Sequence, residues 1–205
     1  IYWYKLVLTM TSLDKFRVYQ KIQSSGLVIF SKHDIAKICD ITNDNTAYKL
    51  LQRLEHAQII KRIASGSYQL IDATIHDFAI ANILYKPSYI SLESALARYS
   101  IIAQFPFTIT SVTPARSKTV GEYKTYEYIH IAPHLYYGFI KEDDYLIATP
   151  EKALFDSLYL MSKGLKKLPL DEMDMSATKT KTFRSYCQNT HIEQFQRFLS
   201  LKNIL

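Results

Sequence analysis

Between Asn43 and Leu70 the hydrophobic period changes, and that change constrains the fold more than any other feature of the chain. At about 100° per residue, Ala47, Leu50, Leu51 and Leu54 fall in one stripe. Asn45, Lys49, Gln52 and His56 fall opposite, with Arg53 beside them and Tyr48 on the other flank. "QIIKRIA", "SGS" and "YQLID" then read as two short strands joined through Gly66. A helix with one apolar stripe needs something to bury it against.

The preceding residues supply that surface. "TSLDKFRVYQKIQSSG" reads as a helix, with Thr11 or Ser12 as N-cap and Gly26 as its stop. "LVIF" reads as a short strand. In "SKHDIAKICD", Ser31 and Asp34 have the spacing of a capping box, and Ile35, Ile38 and Cys39 share one side. "ITN" is a tight turn. Three helices, a tight turn before the third and a hairpin after it predict a winged helix-turn-helix over residues 10–75.

Such a unit lays its third helix in the DNA major groove, and the residue types suit that task. Asn45 and Gln52 carry amides that pair bidentately with adenine, and Lys49 and Arg53 are cations that pair with guanine. Tyr48 lies beside them. Asn43, Asn45 and Thr46 open the helix, where backbone N–H groups attract phosphate. In the hairpin, Lys61, Arg62, Ser65, Ser67 and Tyr68 are donors suited to a phosphate backbone. Asp44 and Glu55 fall to one side of this face.

Charge follows the same division. The net charge is +6, yet residues 73–162 hold nine Asp/Glu against seven Lys/Arg. Residues 10–72 hold nine Lys/Arg against six Asp/Glu, and residues 163–205 eight against four. A basic head and a basic tail suit an anionic partner.

Residues 76–205 predict an α+β domain with a mainly antiparallel sheet and a basic, partly helical tail. "TIHDFAIANILYKP" reads as a helix limited by Pro87. "SYISLESALARYSII" reads as a second helix, with Leu92, Ala95, Leu96 and Tyr99 on one face. "PFTITSVTP", "YKTYEYIHIAP", "LYYGFI" and "YLIATP" are strand-like. "TPEKALFDSLYLMSKG" has Thr149 at N-cap and Pro150 at N1. The last forty residues are polar, then helical from about Ile192.

Several chemistries fall away. Asp143, Asp144, Glu151 and Asp156 lie close in sequence, but the first two occupy a hairpin turn and Glu151 opens a helix where its charge is favourable. "EYK", Glu122 to Lys124, matches half of a nuclease motif, with Asp77 too distant in sequence to complete it. Pro133 between His130 and His134 breaks a helical metal pair. Cys187 and His191 make a weak pair in a polar tail. With five glycines there is no Gly-rich phosphate loop. No enzyme activity, cofactor or metal is expected. The two cysteines, Cys39 and Cys187, lack zinc or disulfide-framework spacing and read as reduced thiols of a cytoplasmic protein. No apolar run approaches the ~18 residues of a membrane span. "IYWYKLVLTM" is a poor signal peptide; residues 1–9 read as an extension ahead of Met10.

"YISLESAL", "TITSVT", "HI" at His130, "YYGF" and "IATPEKALFDSLYL" occur in that order. Together with the upstream unit they resemble the AbiEi family of antitoxins from bacterial abortive-infection systems, over roughly residues 12–162. The resemblance implies a repressor of its own toxin–antitoxin operon, binding inverted repeats in double-stranded DNA. It implies a second domain that opposes a nucleotidyltransferase-like toxin without a stable complex, as in type IV systems. Lys152 and its neighbours are then candidate contacts. The chain departs from the family at Ser100, where a Gly is common, and in the 163–205 tail. An alternative reading is a winged-helix regulator whose second domain senses a small ligand within its Tyr-rich strands.

Overall fold

A computed structural model of the chain describes residues 12–104, 106–190 and 192–204, which form two compact units meeting between Ile75 and His76. The readings of residues 1–9, of Met10 as a start, of Thr11 as a cap and of His191 lie outside the described residues. The architecture is mixed α+β, and no described helix is long and apolar enough to cross a membrane.

The first unit comprises α1 (Ser12–Ser24), α2 (Lys32–Ile38), α3 (Asp44–His56), β1 (Ile60–Ala64) and β2 (Ser67–Leu70). Local chemistry fixes each boundary. Ser31 Oγ accepts from the Asp34 N–H while the Asp34 carboxylate accepts from the Ser31 N–H at 2.8 Å, a complete capping box at the start of α2. At its end Asp40 turns left-handed with φ 54°, and the Ile41 N–H reaches back to the Ala36 carbonyl at 2.8 Å. This is a Schellman stop that uses Asp where Gly is usual. It makes the turn into α3 tight.

Ala47, Leu50, Leu51 and Leu54 are all buried, as the stripe requires. Leu50, Leu51 and Leu54 pack with Ile22, Phe30, Ile35, Ile60, Tyr68 and Leu70 in one cluster. Each such aliphatic side chain contributes about 2 kcal/mol through burial. "LVIF" does not form a strand. Leu27 and Val28 are exposed, and only Phe30 pairs, in a single antiparallel bridge to Tyr68. Phe30 is 1% exposed and belongs to the core cluster.

The second unit holds α4 (Asp77–Leu84), β3 (Tyr89–Ile90), α5 (Leu92–Arg98), β4 (Ile109–Thr113), β5 (Lys118–Val120), β6 (Tyr126–His130), β7 (Phe139–Glu142), β8 (Tyr145–Ala148), α6 (Pro150–Ser162), α7 (Lys181–Asn189) and α8 (Glu193–Leu201). Its sheet has the order β5-β6-β4-β3-β8-β7. Three neighbouring pairs are antiparallel, whereas β3/β8 and β4/β6 are parallel, so the sheet is mixed. The expected helix over "SYISLESALARYSII" is shorter than its apolar pattern. Tyr89 and Ile90 leave it to form β3 in the middle of the sheet, where both are fully buried. Residues buried on every side carry no readable period.

Ser100 explains a departure noted in the sequence. It follows α5 with φ 58°, and the Ile101 N–H closes onto the Leu96 carbonyl at 2.8 Å. Gly fits this left-handed position without strain. The tail is also more ordered than its polarity predicts. α7 precedes α8, and Phe183, Cys187, Phe195 and Leu199 are fully buried. The Phe195 ring meets Phe155 and Tyr159 of α6 edge-on at 5.3 and 5.8 Å.

Candidate nucleic-acid interface

The outward face of α3 carries Asn45, Tyr48, Lys49 and Gln52 as exposed side chains, with Arg53 half-buried at its edge. Tyr48 is 50% exposed, an unusual state for a phenol on a helix whose other apolar residues are buried. Lys49 and Arg53 have no carboxylate within ion-pair distance among the described residues. Among those residues nothing neutralises their charge. Asp44 is: its carboxylate binds Lys32 at 2.6 Å, and that hydrogen bond holds its pKa below the usual carboxylate range.

The start of α3 is arranged differently from the expectation of a free phosphate cradle. Asn43 Oδ1 accepts from the Asn45 N–H at 2.9 Å and from the Thr46 N–H at 3.2 Å. Asn43 is thus the N-cap, and it occupies the two backbone donors that a phosphate would otherwise use. The Asn45 and Thr46 side chains remain exposed.

The hairpin separates its polar residues by register. Lys61 lies opposite Gln69 and Arg62 opposite Tyr68, so Arg62 shares the face of Tyr68 and Lys61 takes the other. Tyr68 is a correction to the expected donor set. It is only 7% exposed, stacks on Phe30 with centroids 6.5 Å apart, and belongs to the core cluster. Its backbone exchanges two 2.9 Å hydrogen bonds with Phe30. Ser67 stays half-buried beside the Gly66 turn, while Ser65 is exposed. Lys61 and Arg62 are both half-buried, and Arg62 is engaged with a neighbour. The hairpin thus leaves Ser65 exposed and Lys61 and Ser67 half-buried, Lys61 sharing its face with the buried Gln69, while Arg62 turns toward the core side.

Other chemistry-bearing residues of the sequence are placed apart from this face. Lys152 is fully buried and cannot be an exposed contact. It forms an ion pair with Asp156, also fully buried, one helical turn on. Asp156 further accepts from Tyr89 at 3.0 Å and Ser91 at 2.7 Å, and Lys152 Nζ lies 4.8 and 4.7 Å from the ring centres of Tyr137 and Phe155. The most specific motif segments of the second unit, "YIS" and "TPEKALFD", therefore converge on one buried polar centre. Periodicity could not show this; the only signal was two opposite charges four residues apart in an otherwise apolar helix.

Lys124 of the half nuclease motif does meet Asp77, in an ion pair that 47 residues of sequence separation concealed. Asp143 and Asp144 occupy the β7–β8 turn, far in role from the buried Asp156. Among the described residues no group of three or more His, Cys, Asp and Glu could hold a metal ion. No protein-family model matches the chain, and no curated protein matches it at a significant level.

Proposed function

We propose that the chain is a DNA-binding transcriptional repressor and antitoxin of a type IV toxin–antitoxin operon. In this reading the first unit is a winged helix-turn-helix. α3 enters the major groove of an operator with inverted repeats, and the β1–β2 hairpin rests against the flanking backbone. The second unit opposes a nucleotidyltransferase-like toxin without a stable complex, as the resemblance to the AbiEi family implies. Neither task requires a cofactor or a metal.

One observation carries the DNA-binding part. α3 buries Ala47, Leu50, Leu51 and Leu54 and leaves Asn45, Tyr48, Lys49 and Gln52 exposed, with the Lys49 and Arg53 charges unmatched by any carboxylate at ion-pair distance among the described residues. A solvated face gains little from leaving cations unmatched, whereas a groove-facing helix needs them. Bidentate contacts from Lys49 or Arg53 to guanine are each worth about 1–3 kcal/mol of discrimination.

The test is a mobility-shift titration of the full chain on its own promoter and on scrambled DNA at fixed salt. Wild type binds the promoter preferentially, and the Lys49→Ala/Arg53→Ala double variant loses that preference. Identical shifts for both proteins on both DNAs would remove the reading.

A further inference from the structure

The tail gathers three cations that have no ion-pair partner among the described residues. Lys179, Arg184 and Lys202 line one open depression of about 300 Å³ in the second unit. They come from three separate places: the 3-10 turn Ser176–Lys179, α7, and the residue that caps α8. Among the described residues Asp171 is the single acidic residue of the lining, and Leu170, Met175 and Ile204 are its apolar members. Among the described residues none of the three cations has a carboxylate within ion-pair distance. The nearest relief for Lys179 is Asp174, whose carboxylate is already committed to Ser176, accepting from its N–H at 2.9 Å and its hydroxyl at 3.1 Å.

The end of α8 does not neutralise this charge either. Its last carbonyls accept from Lys202, Asn203 and Ile204 N–H groups at 3.0–3.1 Å, which blunts the negative pole of the helix. By contrast, Lys166 in the same tail is held by Glu93 and Glu127 at 3.1 and 3.0 Å. Among the described residues Lys179, Arg184 and Lys202 lack such a pairing.

We infer that this depression is a binding site for a phosphomonoester carrying a small uncharged ring. A terminal phosphate presents two charges and three acceptor oxygens. Arg184 is suited to a bidentate contact, and Lys179 and Lys202 add point charges. Met175 and Ile204 suit the face of a ring, and Asp171 is placed to accept from a hydroxyl. The volume lies at the lower end for small-ligand sites. A duplex backbone carries one charge per phosphate, spaced along the strand, against the two charges of a terminal phosphate. The site is independent of the α3 face, so its test is separate from that of the proposed function.

Calorimetric titration of the full chain with AMP, inorganic phosphate and adenosine reads the site. AMP binds with one-to-one stoichiometry, phosphate more weakly, and adenosine shows no saturable heat. The Arg184→Gln/Lys202→Gln variant raises the Kd for AMP at least about tenfold, since two charge-assisted contacts are lost. Its unfolding temperature matches wild type, and Lys141→Gln, on β7, leaves the Kd unchanged. Absence of heat with both AMP and phosphate would overturn the inference. So would equal binding by the double variant, or adenosine binding as well as AMP. Displacement of AMP by a short duplex lacking inverted repeats, with no binding of phosphate alone, would reassign the cations to nucleic-acid backbone and overturn it too.

Discussion

Lys152 and Asp156 are the only oppositely charged pair among the described residues whose two side chains are both fully buried. Burial pushes the Lys152 ammonium down and the Asp156 carboxyl up, and their mutual attraction opposes both shifts. Donors on Asp156 from Tyr89 and Ser91 favour its ionised form, and the rings of Tyr137 and Phe155 favour the cation. Removing one partner leaves a buried charge with no counter-charge. Lys152→Met therefore costs roughly 3–5 kcal/mol in denaturant unfolding. Adding Asp156→Asn removes the stranded charge while keeping an acceptor for Tyr89 and Ser91, and returns at least about 1 kcal/mol of that loss. A double variant no more stable than Lys152→Met would show that the pair is not coupled in this way.

At the scale of elements, the hairpin shows how register decides which residue is available. Lys61 and Arg62 are neighbours in sequence and equivalent in composition arguments. The pairing of Arg62 with Tyr68 turns Arg62 to the core side of β1, and Lys61 faces away from it. In the proposed DNA-bound reading Lys61 is the hairpin residue expected to meet a phosphate. Lys61→Ala should reduce the slope of log affinity against log salt by about 0.9, the contribution of one phosphate contact on duplex DNA. Arg62→Ala should leave that slope unchanged and lower stability instead. Equal slopes for wild type and Lys61→Ala would show that the hairpin does not touch DNA. The same register accounts for Tyr68, which resembles a surface donor in the sequence and is a core side chain in the fold.

The whole molecule consists of two compact units that each enclose a core. A separate first unit of about 60 residues is marginal in size for independent folding. The second unit includes its tail, because α7 and α8 bury Phe183 and Phe195 and α6 supplies the rings that Phe195 meets. If the chain is the antitoxin proposed above, residues 76–205 expressed beside the toxin of its operon should restore growth, whereas residues 10–75 should not. A chain ending at Ser162 should fail to rescue and should lack cooperative unfolding, because it strips the cover from Phe155 and Tyr159. Rescue by residues 10–75, or failure of a folded 76–205 fragment, would contradict this division.

What the sequence alone determined is what depends on near neighbours. The stripe of α3, the Ser31–Asp34 capping box, the Thr149–Pro150 start of α6 and the Gly66 turn each rest on residues within a turn or two of one another. Short-range spacing is sufficient for them, because caps and helix faces are settled by contacts three or four residues apart. The outward residues of α3 followed from the same geometry. Tertiary structure alone decided the rest. It turned Tyr89 and Ile90 from helix to strand, and made the sheet mixed by setting β3 beside β8 and β4 beside β6. It joined Lys124 to Asp77, drew Lys152 into the interior, and gathered Lys179, Arg184 and Lys202 around one depression. Each of these pairs residues far apart in sequence, where the energy lies in burial and charge between elements and leaves no local period to read.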